Sequence, residues 1–203
     1  STPGLIVGIY ADGYKASREE QFWKDAAKTI KSLETNKFPG VDSFQFIGVF
    51  APSNLELGKE RDNGIPVQER DSFLGLFYPY WKKFDRWFHV VYPTREHKYR
   101  SGIAVSPYDH PLVLIDSSDY WGVGNFKELT AVPASSNRFS YLLLHEFGHY
   151  FGLNEEYEDG GPTELAFAPK ILEPWSQNIT FKDKRETLKW QSLVDVNTPI
   201  PTS

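Results

Sequence analysis

The stretch Leu142 to Glu158 reads LLLHEFGHYFGLNEEYE and gathers two histidines and four glutamates. His145 and His149 are four residues apart, so on a helix they project from one face, a turn apart. Both imidazoles can then reach a single zinc ion at about 2.0–2.1 Å. Glu146 falls on the adjacent flank, where it can touch a metal-bound water without being a ligand. The H-E-x-x-H spacing suits metal-assisted hydrolysis, in which the glutamate takes a proton from that water and later delivers it to a leaving amine. The pattern arises by chance in on the order of 1% of chains of this length, so its surroundings decide its weight. Leu142-Leu-Leu144 gives it the apolar approach of a buried helix, and Gly152 lets the chain leave that helix through a left-handed turn.

Extending the template to H-E-x-x-H-x-x-G-x-x-H puts a third ligand at Glu155, three residues past Gly152. A carboxylate is an acceptable zinc ligand. It lowers the charge left at the ion compared with a third histidine, which makes the bound water less acidic and puts more weight on Glu146 as base. Glu156, next in the chain, is the alternative third ligand. His89, His97 and His110 have no comparable partners and read as structural or surface residues. Asn178-Ile-Thr180 has the spacing of a glycosylation sequon but reads as accidental.

Composition narrows the surroundings. The 203 residues carry a formal charge of −5, with no run of Lys and Arg, which argues against a nucleic-acid surface. No stretch reaches the roughly 18 apolar residues of a membrane span. Cysteine is absent, so disulfides and thiolate ligands are excluded and any metal must be held by His and carboxylate. A secreted or periplasmic protein is expected. Methionine is also absent, and with Ser1 in first position the chain reads as a processed or trimmed product. The length predicts one domain with a sizeable core.

The elements that must carry the histidine helix follow from periodicity. Leu5 to Tyr10 predicts a buried strand that ends in the Asp12-Gly13 turn. Ser17-Arg-Glu-Glu20 has capping-box spacing, and Phe22, Ala26, Ala27, Ile30 and Leu33 predict a helix over about 18–34. Ser43 to Phe50 predicts a second strand, parallel to the first because the crossover between them is long. Residues 52–72 read as a long loop. Trp81, Phe84, Trp87 and Phe88 fit a core-facing helical stripe, with a short strand at His89 to Tyr92 and a short helix over 97–105. Leu112 to Asp116 is a strand, Tyr120 to Gly124 a glycine-rich turn, and Phe126 to Val132 a further strand. Ser135 and Ser136 offer an N-cap for the histidine helix. One more helix is expected near Lys184 to Leu193, followed by an extended tail.

Taken together, these residues resemble the IgA-peptidase family of bacterial zinc metallopeptidases, within the metzincin-like clan. Ile6-Val-Gly-Ile-Tyr-Ala-Asp-Gly-Tyr14 with Glu20, Phe22 and Asp25-Ala26 is similar to that family's opening strand, turn and first helix. Phe46 to Ser53, Tyr120-Trp-Gly122, His145-Glu-Phe-Gly-His149 with Glu155-Glu-Tyr157, and Pro174 to Thr180 have counterparts as well. The resemblance implies a secreted zinc endopeptidase with His145, His149 and Glu155 as ligands and Glu146 as general base and acid. It also implies a methionine-containing turn beneath the zinc, which this chain lacks, so residues 1–203 are expected to be one catalytic domain without that segment.

The expected fold is therefore α/β and metzincin-like, a twisted mixed sheet with an N-terminal helix and a zinc-binding helix. Leu112 to Asp116, or the strand near Phe126, is expected to form the sheet edge that pairs with an extended protein or peptide substrate. Two other functions fit the same residues. One is a non-catalytic, zinc-stabilised module that binds a glycan or protein surface, and the other is a zinc amidase acting on cell-wall peptides.

Overall fold

The computed structural model describes residues 4–54, 58–59, 72–74, 76–78, 80–83, 86–89, 92–93, 108–118, 122–125, 129–153, 173 and 177–200. The expected short helix over 97–105 lies outside these residues. The chain divides into two compact units, Ser1–Tyr150 and Phe151–Ser203.

The first unit is mixed α/β. Strand β1 (Ile6–Asp12) runs into helix α1 (Glu19–Thr35) and returns as β2 (Gln45–Val49), parallel to β1 as the long crossover requires. Five further strands are short: β3 (Gly58–Lys59), β4 (Leu76–Tyr78) and β7 (Tyr92–Pro93) make one small sheet, and β5 (Tyr80–Lys83) pairs with β6 (Arg86–His89). Then come β8 (His110–Ile115), β9 (Val123–Asn125), β10 (Leu129–Pro133) and helix α2 (Phe139–Tyr150). The main sheet has the order β2-β1-β8-β10-β9, parallel except for β9.

Side-chain alternation sorts this sheet into two faces. Val7, Ile9, Ala11, Leu112, Leu114 and Val132 point to one side and form a core with Phe22, Ala26 and Leu33 of α1 and Phe139, Leu142, Leu143 and Phe147 of α2. Tyr10, Val113, Ile115, Leu129 and Ala131 point to the other side and are covered by Leu74, with Phe73, Tyr108 and Val123 at its margin. Strands buried on both faces read as continuous apolar runs, which is why Leu112 to Ile115 stood out in the sequence.

Polar contacts hold the ends of these elements. Gly13 takes φ +77°, a left-handed conformation that closes the turn after β1. Its N–H donates to Ser53 Oγ (3.0 Å), the Phe73 N–H donates to the same oxygen (2.7 Å), and the Leu74 N–H donates to Asp12 Oδ1 (2.7 Å). Tyr14 OH donates to Asp25 Oδ2 at 2.8 Å, and Gln21 Nε2 donates to Asp25 Oδ1 at 3.0 Å. Burial, then the Asp25 charge and hydrogen bond, hold the Tyr14 phenol well above the ordinary tyrosine range, so it remains the donor. The Arg18 guanidinium grips Asp116 through two N–H groups.

Several expectations are corrected. The capping box at Ser17 does not form: Ala16–Arg18 is a 3-10 turn, and Arg18 stands at the N-cap of α1 with no side-chain cap bond. Of the expected helical stripe, Trp81, Trp87 and Phe88 lie on strands, and Phe84 falls outside the described residues. Trp81 lies opposite Phe88 and Lys82 opposite Trp87 in the antiparallel pair of β5 and β6. Aromatic residues favour strands, and the spacing that suggested a helix also places residues opposite one another on two paired strands. The expected loop over 52–72 contains β3, paired in parallel with β4. Leu112 to Asp116 is no edge, because β8 lies between β1 and β10. The strand expected over Phe126 to Val132 is β10, which is no edge either, since it lies between β8 and β9. The edge on this side is β9, formed in part by the stretch read as a glycine-rich turn.

In the second unit, the helix expected near Lys184 to Leu193 is instead two 3-10 turns, Arg185–Thr187 and Gln191–Leu193. Arg185 accounts for the difference, since its guanidinium donates to the carbonyls of Asp195, Val196 and Thr198 and so folds the following segment back over the turn. Ile179 and Leu188 are the buried apolar residues of this unit among those described.

The Tyr14–Asp25 contact gives a direct test. Tyr14→Phe keeps the ring, which packs edge-on to Phe22, and removes the donor to a carboxylate only 5% exposed. The variant should lose about 1.5–3 kcal/mol, the usual worth of a hydrogen bond to a charged group, read as a lower urea midpoint at unchanged slope.

Candidate metal centre

Helix α2 is placed by contacts along its whole length. Ahead of it, the Arg138 N–H donates to Ser136 Oγ at 3.3 Å in the turn that leads into the helix. Arg138, whose carbonyl accepts from the Leu142 N–H, stands at the N-cap in place of the expected serine. Lys28 of α1 donates to the Ala134 carbonyl at 2.9 Å and lies 4.2 Å from the centre of the Phe139 ring. In the middle of the helix, Thr130 Oγ1 of β10 is 3.4 Å from the Glu146 carbonyl oxygen and donates to it. At its end, Tyr150 OH donates to the Asp109 carbonyl, just before β8. Burial, then the nearby Asp109 charge, raises the Tyr150 phenol, so it too stays protonated.

His110 belongs to this framework, as its lack of ligand partners in the sequence suggested. It is fully buried at the start of β8, edge-on to the Phe147 ring at 4.5 Å and against Tyr150. Burial pushes its imidazole down to about 3, so it packs as a neutral ring at any physiological pH.

The helix brings together the two histidines that the spacing predicted. His145 Nε2 and His149 Nε2 lie 3.2 Å apart, with the rings nearly perpendicular at 80°. Both residues are half-buried. Glu146 is buried, at 8% exposure, on the flank that faces the sheet edge. His145, Glu146 and His149 each offer one ligand atom, and these atoms lie within 4.8 Å of one another. They are the one such group of three His, Cys, Asp or Glu side chains among the described residues.

The spacing of the two nitrogens tests the fit to a metal. Two ligands of one tetrahedral zinc at about 2.0–2.1 Å stand about 3.3–3.4 Å apart. The observed 3.2 Å matches that span with almost no rearrangement. Burial, then the neighbouring His149, lowers the affinity of His145 for a proton. This favours the neutral imidazole, which is the form that binds a metal. The donor set is nitrogen and oxygen without sulfur, compatible with zinc and other borderline divalent ions.

Glu155 and Glu156, the expected third ligand and its alternative, lie outside the described residues. The turn that leads toward them does have the expected character, because Gly152 takes φ +85°.

Three neighbours of the group were not singled out from the sequence. Tyr141, 54% exposed, stacks on His145 at 5.8 Å between ring centres and 13° between planes. Its position one turn before His145 was the available signal. Gly122 and Gly124, from the segment read only as a glycine-rich turn, lie closely against Glu146: a Cβ at 124 would meet its backbone, and a Cβ at 122 would displace its side chain. The signal there was two glycines two apart in an extended run, which puts both on one face.

What this arrangement can do chemically is hold a divalent ion on two imidazoles with a buried carboxylate beside it. No curated protein matches the chain closely enough to serve as a relative. The family model described as IgA Peptidase M64 matches residues 1–203, taking in the whole sequence and not the histidine helix alone, and the chain belongs to that peptidase family.

Proposed function

We propose that this chain is a zinc-dependent endopeptidase of metzincin-like type, with His145, His149 and Glu155 as zinc ligands and Glu146 as general base and acid. The observation that carries the proposal is the 3.2 Å separation of the two Nε2 atoms with the Glu146 carboxylate in the same cluster. Membership of a peptidase family supplies the reaction class. When bound, zinc acts as a Lewis acid toward the scissile carbonyl and balances the charge that develops on its oxygen.

The chain's own groups do the rest. A carboxylate oxygen of Glu146 accepts the proton of the attacking water and later returns it to the nitrogen of the leaving amine. Burial beside the sheet edge restricts the movement of that carboxylate. The substrate is bound in extended form along β9, the last strand of the main sheet, whose outer side is unpaired among the described residues. Strand addition there would bring a peptide alongside α2, because β9 packs on that helix through Gly124.

Glu146→Gln keeps the shape of the side chain and removes its basicity. The variant should bind zinc as the wild type does and lose about 10²–10⁴-fold in casein or gelatin cleavage. Equal cleavage by the two proteins would overturn the role of Glu146. For the third ligand, Glu155→Ala should lose bound zinc in a metal-content measurement while Glu156→Ala retains it, and the reverse result would transfer the role to Glu156.

A further inference from the structure

Gly122 and Gly124 both face Glu146 from the edge of the sheet, yet they meet different parts of it. Neither has a positive φ, so the backbone at these positions would accept any residue. Space is what requires glycine. A Cβ at 124 would stand 1.9 Å from the Glu146 carbonyl oxygen, 2.7 Å from its carbonyl carbon and 2.9 Å from its Cα. These are backbone atoms in the middle of α2, and the helix cannot yield there without leaving the sheet. A Cβ at 122 would stand 2.6 Å from Cγ, 2.7 Å from Oε1 and 2.9 Å from Cδ of Glu146. Carbon atoms settle at about 3.5–4.0 Å, so something must move there too. In this case it is a side chain with rotatable bonds, and the part displaced is the carboxylate itself.

We propose that Gly122 is a positioning residue for the hydrolytic reaction: the side chain it lacks leaves the slot in which the Glu146 carboxylate is held. This rests on the reading of Glu146 as the proton carrier. Gly124 has the separate task of letting α2 seat on β9. The two glycines thus divide the contact, one serving the orientation of the carboxylate and the other serving the fold. A carboxylate shifted by about 1 Å is enough to cost about 10²-fold in rate.

The test uses the full chain with zinc. Gly122→Ala should keep its zinc content and urea midpoint, lower kcat on a casein-derived peptide about 10²-fold and leave KM nearly unchanged. In the Glu146→Gln background the same substitution should cost nothing further, since the group it displaces no longer carries a proton. Gly124→Ala should instead lower the urea midpoint. Unchanged kcat in Gly122→Ala, an equal loss in both backgrounds, or failure of Gly122→Ala to fold would each overturn the assignment.

A readout independent of activity comes from crystal structures of metal-free wild type and Gly122→Ala. The Glu146 carboxylate should be displaced by about 1 Å or more, the size of shift that matters for rate, while the His145 and His149 nitrogens keep their spacing. Superimposable carboxylates would overturn the slot. If zinc-loaded wild type cleaves nothing, the peptidase reading falls, and the crystallographic comparison still decides whether Gly122 places Glu146.

Discussion

Helix α2 comes as close to the sheet as it does because the edge strand turns glycine toward it, at Gly124 and, just before the strand, at Gly122. At Gly124 the helix backbone comes within the space a methyl group would fill. A helix normally stands off a sheet by the thickness of two layers of side chains, and here one of those layers is missing over one turn. The close seat lets Thr130 reach the Glu146 carbonyl and lets the Glu146 side chain lie against strand backbone. His145 and His149 need no such help, because the helical period alone brings their nitrogens together. The imidazole pair is thus a product of local geometry, whereas the placing of the carboxylate is a product of packing.

The rest of the first unit can be understood as support for that seat. Tyr150 fixes the end of α2 to the start of β8, and the neutral His110 fills the space beneath it. Lys28 ties the approach to α2 back to α1. On the far side of the sheet, Asp12 and Ser53 take up backbone N–H groups of residues 73 and 74, which brings Leu74 over Tyr10, Val113 and Ile115. Groups buried in this way are costly unless paired, so these contacts are as much a condition of burying the second face as a gain from it.

Much of this was legible in the sequence where a period is strong. β1, α1, β2, β8 and α2 were each visible as an apolar run or a helical stripe, and His145, Glu146 and His149 as a motif. Where two structures share a spacing, the reading failed: Trp81, Phe84, Trp87 and Phe88 suit a helix face and a strand pair alike, and only the pairing partner decides. Ser17 failed for another reason. A capping box is a local signal, and the 3-10 turn at Ala16–Arg18, with Arg18 held by Asp116, a residue distant in sequence, replaces it. Gly122 and Gly124 were invisible as parts of the site because a glycine announces only that a side chain is missing. Which atom occupies the vacated space depends on tertiary packing. Glu155 remains a reading of spacing, outside the described residues.

The pairing of β1 with β8 has a consequence for how the chain acquires its structure. The Ile6 N–H donates to Asp109 across 103 residues of sequence, and Lys28 reaches Ala134 across 106. The centre of the sheet therefore cannot zip up from a neighbouring hairpin. It must close a loop of about half the chain before the contacts reward the lost entropy. Until that closure, the core in which α2 buries Leu142, Leu143 and Phe147 lacks Val7, Ile9 and Ala11 of β1, and a helix of 12 residues is marginal by itself in water. During synthesis the histidine motif is thus a late and dependent part of the molecule, assembled on a sheet whose first strand left the ribosome more than a hundred residues earlier.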